Sequence, residues 1–177
     1  MRSSNRHRAA ICIAAGLLAL TGCGTTSVGG QAETAQPPSG EPQFDPCSIP
    51  DDALRAAGVD PATQSRDIVG VKQPGWSLCR WRGPDYFVTV FAAGRPLDDI
   101  LANDRFHDVT PVDVDGRSAF TVRESNDTRN EYCDVAFSSG PDAIMIKSTY
   151  FDGLPASDSP CPLAVRNGAA LAPSIPH

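Results

Sequence analysis

Histidine is scarce in this chain. Of the three, His7 precedes an apolar run and His177 is terminal, which leaves His107 alone in the interior. No CxxC or HxxxH spacing is present, so the usual zinc ligand sets are missing. No G-x-S-x-G frame supports a nucleophilic serine, although Ser118 and Ser138 supply hydroxyls. Asp113, Asp115, Asp127 and Asp134 are scattered without the spacing of a calcium loop. After residue 22 no stretch reaches 18 apolar residues, so the remainder is expected to be soluble. No internal repeat is visible.

What is present begins at the N-terminus. Arg2, Arg6 and Arg8 stand without an acid before the apolar run from Ala9 to Leu20. A positive segment followed by an apolar one too short to span a bilayer has the form of a secretory signal, residues 1–22. The closing Leu20-Thr21-Gly22-Cys23 resembles the lipobox of bacterial lipoproteins, and that likeness implies a diacylglyceryl group on the Cys23 thiol. A plain secretory signal is the alternative, and it would leave Cys23 as an unpaired thiol in an oxidising compartment. Acyl chains contribute about 0.8 kcal/mol per buried methylene, enough in pairs to hold the chain on a membrane from its extracytoplasmic side.

Loss of the signal removes three arginines and leaves 12 basic residues against 21 acidic ones, a formal charge of −9. Nucleic acids and anionic lipid headgroups require Lys and Arg footprints, so neither is an expected partner. From Gly24 to Gln43 there is no aromatic residue and one large aliphatic, Val28. Such a segment cannot bury enough apolar surface to fold, so residues 23–43 read as the lipidated cysteine and a disordered, flexible tether. Residues 44–177 are of single-domain length.

Cys12 leaves with the signal and Cys23 takes lipid, so Cys47, Cys79, Cys133 and Cys161 remain, an even number in an exported domain. Four cysteines allow three connectivities. Local structure favours one of them. Ser48, Pro50, Asp51 and Asp52 start a helix that Gly58 ends, and Ser159 and Pro160 start another in which Cys161, Ala164, Gly168 and Leu171 share a face. Cys79 and Cys133 lie in WSLCRWR and EYCDVAF, which read as strands. The simplest arrangement staples each helix to a strand, Cys47 to Cys79 and Cys133 to Cys161.

Residues 85–92, DYFVTVFA, are apolar on both faces, as a doubly covered strand should be. Asp115-Gly116 lies between two extended runs and signals a hairpin. DAIMIKSTYF gives a further strand after Gly140-Pro141, and RPLDDILAND a short helix with Leu97, Ile100 and Leu101 on one side. The order is helix, two strands, helix, three or four strands, helix. We therefore expect an α+β domain, an antiparallel sheet with flanking helices and two disulfides.

Phe44-Asp45-Pro46-Cys47, Cys79-Arg80-Trp81, Cys133-Asp134-Val135 and Cys161 with Ala164 in a terminal helix resemble a family of small actinobacterial lipoproteins of unknown function. The resemblance implies envelope localisation and a paired-cysteine α+β fold, with no catalytic residues and no cofactor. The late motif here reads Ser159-Pro160-Cys161-Pro162, where an acidic residue is expected before the first proline.

Function is read more coarsely. His107, in NDRFHDVT, reads as a solvent-facing loop residue with Asp104 and Asp108 nearby. The strand aromatics Trp76, Trp81, Tyr86, Tyr132 and Tyr150 read as packing under helices. A candidate binding surface exists if Trp81 and Tyr132 share a solvent-facing side with Arg80 and Arg82. The favoured expectation is a membrane-anchored, non-catalytic envelope module that binds a protein, glycan or lipid. A carrier with an apolar cavity is one alternative. A hydrolase with His107 beside a serine and a carboxylate is the other.

Overall fold

Paired in space, the apolar runs of the sequence make one seven-stranded antiparallel sheet, described here from a computed structural model for residues 40–155 and 158–177. In chain order the elements are α1 (Asp51–Ala56), β1 (Asp60–Arg66), β2 (Trp76–Arg82), β3 (Tyr86–Ala93), α2 (Leu97–Leu101), β4 (Phe106–Val114), β5 (Arg117–Glu124), β6 (Tyr132–Ser139), β7 (Asp142–Tyr150) and α3 (Cys161–Leu171). The strands lie in the order β1-β2-β3-β7-β6-β5-β4, so β7 sits at the middle of the sheet. The expected signal, Cys23 and residues 24–39 of the expected tether lie outside the described residues.

Strand side chains alternate between faces, and here both faces are used. On one face Cys79, Trp81, Val88, Val90, Val135, Phe137, Ile144 and Ile146 are fully buried beneath α1 and α3. Gly168 lets α3 approach, since a Cβ there would stand 3.2 Å from Val135 Cγ1. On the other face α2 seats Leu97 and Ile100 against Ala93, Val122, Ala136, Ala143 and Met145. That helix is five residues long and covers only one end. The rest of the second face is therefore open.

The disulfides join Cys47 to Cys79 and Cys133 to Cys161, the pairing read from the local elements. Each ties a helical segment to a strand of the covered face. Loops of 32 and 28 residues correspond to about 3.6 kcal/mol each by restriction of the unfolded chain.

Several local expectations shift. Ser48 does not cap α1; it lies in a preceding 3-10 turn, Pro46–Ser48, where its hydroxyl donates to the Asp45 carbonyl, and Pro50 stands at the cap position. Gly58 does end the helix, at φ 75°, and a Cβ there would meet the Tyr86 hydroxyl at 2.5 Å. That hydroxyl donates to the Ala57 carbonyl at 2.9 Å. β1, DPATQSR, is an additional strand whose residues are almost all exposed, so three strands precede α2 rather than two. β4 starts at Phe106, which places His107 on an exposed edge strand instead of a loop. Asp115 and Gly116 form the expected hairpin turn, with φ of 57° and 75°.

Candidate functional site

Cross-strand register lays the open face out in rows. One row runs Arg82, Phe87, Thr149, Tyr132; the next Arg80, Thr89, Lys147, Asp134, Val122; the third Leu78, Phe91, Met145, Ala136, Phe120. Between the second and third rows, and beside the end of β4, opens a groove of about 490 Å³. Its walls are Trp76, Leu78, Phe91, Phe106 and Met145, with Ile68 and Pro74 of the β1–β2 loop at its edge. Trp76 and Phe91 meet edge to face at 6.3 Å. The volume lies in the range of small-molecule sites.

Charge is concentrated on one side of this apolar groove. Glu124, 4 % exposed, accepts hydrogen bonds from Lys147 Nζ at 2.5 Å and from Arg105. Burial raises the Glu124 carboxyl, but those two cations outweigh it and hold the pKa below the usual carboxylate range. Lys147 Nζ also lies 3.8 Å from Asp134 Oδ2 and 4.4 Å above the centre of the Tyr132 ring. Asp134 has no exposed surface, and neither of its carboxylate oxygens has a hydrogen-bond partner. Burial pushes its pKa up to about 7 against the pull of Lys147, and the Glu124 charge pushes the same way as burial. Tyr132 donates its hydroxyl to Asn126 Oδ1, and burial with the carboxylates of Glu124, Asp127 and Asp134 pushes that phenol up to about 12.

Two carboxylates with pKa values pushed apart often mark an acid and a base. Here Asp134 lines the groove without any solvent-exposed surface, and Glu124 is held by two cations. The pair is arranged to fix Lys147 in place, with an apolar floor alongside.

The four residues of the candidate surface do not act together. Arg80, Arg82 and Tyr132 do lie on the open face, but Trp81 lies between the two arginines in sequence and so points to the other side, fully buried. The aromatic that serves the arginines is Phe87, with the Arg80 guanidinium 3.4 Å above its ring. Arg82 lies 4.7 Å over Phe151. His107 pairs its Nδ1 with Asp108 Oδ2 at 3.0 Å and stands opposite Arg123, whereas Ser118 is at the other end of the β4–β5 ladder. Ser138 lies on β6, away from that edge. The triad reading has no geometric support among the described residues.

The sequence reading missed the cluster itself. Asp134 and Lys147 each interrupt an otherwise apolar strand run, YCDVAF and AIMIKSTY, and that interruption is the signal that could have found them. Among the described residues no group of three His, Cys, Asp or Glu side chains could hold a metal, and no helix is long and apolar enough to cross a membrane.

No curated protein and no solved structure matches the chain. One family model does, over residues 18–173, from the apolar run before Cys23 to the turn after α3. It includes all four paired cysteines and every residue of the groove. The chain therefore belongs to the family described as a protein of unknown function, DUF3558.

Proposed function

We propose that this protein is an exported actinobacterial lipoprotein, held on the extracytoplasmic face of the cell membrane by a lipid on Cys23, whose domain is a non-catalytic binding module. The groove on the open sheet face is its ligand site. The observation that carries this reading is the groove's construction: apolar walls from Trp76, Leu78, Phe91, Phe106 and Met145 beside the fixed cation Lys147. A small amphipathic envelope molecule, apolar along most of its length with an acceptor-rich end toward Lys147 and Arg105, fits that division.

A second reading, a carrier that shields an apolar ligand, draws support from the same walls. The two differ in enclosure. The covered face of the sheet is packed solid and the groove is open to one side, which favours binding over encapsulation.

Native mass spectrometry of the full-length protein extracted from envelopes tests the proposal. A bound small molecule is expected with the wild type and lost from Phe106→Asp, which places a charge in the half-buried wall. An empty wild type, or an equal load on both proteins, contradicts the groove as the site.

A further inference from the structure

The β1–β2 loop presents three aliphatic side chains to solvent. Val69 is 94 % exposed, Val71 59 % and Ile68 55 %. The loop reverses in a tight turn closed by the Val71 N–H donating to the Ile68 carbonyl, with Val69 and Gly70 both at positive φ. That turn geometry suits Asn-Gly, and a β-branched residue adopts it only at a cost. Val69 is thus held outward at the apex in a conformation that its side chain disfavours, surrounded by neither core nor neighbouring strand. Exposed apolar residues grouped in this way mark contact surfaces.

The fold also shows what lies near this apex. Lys72, next to Val71, pairs with Glu41 at 2.9 Å, and the backbone N–H of Gly75 donates to the same carboxylate. Gly94 takes the Gly40 carbonyl so closely that a Cβ would stand 1.8 Å from it, and Gln43 N–H donates to Asp142. Residues 40–43 are therefore strapped to the β1–β2 loop at Lys72 and Gly75 and to the ends of β3 and β7 at Gly94 and Asp142. The chain arriving from Cys23 joins the domain beside the aliphatic apex and beside the mouth of the groove, which Ile68 helps to line.

We infer that the apex Ile68-Val69-Val71 docks into the surface of the bilayer to which Cys23 anchors the chain, turning the groove mouth toward the membrane. The inference rests on the lipoprotein reading above. The seventeen Cα-to-Cα steps from Cys23 to Gly40 reach at most about 60 Å when extended, so an anchored domain stays within about that distance of the bilayer. Three aliphatic side chains bind a membrane weakly when free in solution. Tethering turns that weak contact into an intramolecular one at high effective concentration. The domain's acidic balance argues against an electrostatic contact, and the apex supplies an apolar one in its place.

The test uses full-length protein isolated from membranes and reconstituted in phosphatidylcholine vesicles, with Val69→Trp at the apex and Val109→Trp as a control. Val109 is 41 % exposed on β4, the far edge of the sheet. Flotation with the vesicles reads the anchor; quenching by lipids brominated near the headgroup end of the acyl chains reads the docking. At an insertion depth of about 5–10 Å, the added Val69→Trp emission shifts to the blue and loses roughly half its intensity, while Val109→Trp is unchanged. Flotation with an unquenched Val69→Trp overturns the docking and leaves the anchor standing. A blue-shifted but unquenched emission points to a protein contact at the apex and equally overturns it. Failure to float overturns both readings.

Discussion

Lys147 faces Asp134 across the β6–β7 ladder, its ammonium 3.8 Å from one carboxylate oxygen and 2.5 Å from Glu124 Oε1. One cation thus serves two buried acids, and the acids respond oppositely. Asp134 is lifted to about 7 by burial, and Glu124 is lowered because its bonds to Lys147 and Arg105 outweigh its own burial.

The sign of the pH dependence follows from that difference. A carboxyl whose folded pKa lies above its unfolded value contributes stability that is full below the unfolded value and lost as pH rises through the folded one. For Asp134 the window runs from about 4 to about 7. Glu124 behaves in reverse, contributing above its unfolded value and losing that contribution as pH falls through its lowered one. Asp134→Asn should remove the loss on the alkaline side and be more stable than wild type at pH 8, by on the order of a few kcal/mol. Chemical denaturation from pH 4 to pH 8 checks this; a variant whose stability parallels wild type throughout would be inconsistent with a proton on Asp134.

Replacing Lys147 leaves Asp134 without its cation and Glu124 with Arg105 alone. Lys147→Met is expected to cost about 3–5 kcal/mol, as breaking a buried ion pair from one side does. Adding Asp134→Asn should recover part of that loss, since it removes the carboxylate left without a cation. A double-mutant cycle measures the coupling, and additivity within about 0.5 kcal/mol would show the two groups to be independent.

Each disulfide braces a separate helical segment. Cys47→Ala with Cys79→Ala, and Cys133→Ala with Cys161→Ala, should each lower stability by roughly 2–4 kcal/mol. Peptide mapping without reduction should recover the Cys47–Cys79 and Cys133–Cys161 pairs from wild type. A Cys47–Cys161 peptide would contradict the fold.

Gly94 holds the incoming chain. A side chain there must displace the Gly40 carbonyl, so Gly94→Val should release residues 40–43 from the ends of β3 and β7. The Gln43 amide, bonded at 2.6 Å to Asp142, should then exchange its hydrogen far faster, with a global cost of about 1–3 kcal/mol. Unchanged protection at Gln43 would show that the strap is held by other contacts.

Much of this architecture could be read in the residues. WSLCRWR, DYFVTVFA, EYCDVAF and DAIMIKSTYF carry enough β-branched and aromatic side chains to fix their state locally, and the Asp115-Gly116 turn needs φ above zero at both positions. β1 escaped because DPATQSR has no buried side to generate a pattern; it is a strand only because β2 offers it hydrogen bonds. Trp81 was legible in a stricter sense: flanked by Arg80 and Arg82, it had to take the opposite face. The Arg105, Glu124, Asp134 and Lys147 cluster joins four separate strands and loops, so its assembly depends on register. Register between distant strands leaves no local mark. The aliphatic apex at Ile68-Val69-Val71 is equally silent in sequence, because a short apolar run reads as a strand until its exposure is known.

The proposed lipid on Cys23 is the point on which the proposed localisation and docking both depend. Metabolic labelling with an alkyne fatty acid, read on wild type and Cys23→Ala, measures it directly. The account predicts label and membrane fractionation for wild type and loss of label for Cys23→Ala. Unlabelled wild type found among cytosolic proteins, with Cys47, Cys79, Cys133 and Cys161 as free thiols, would contradict it.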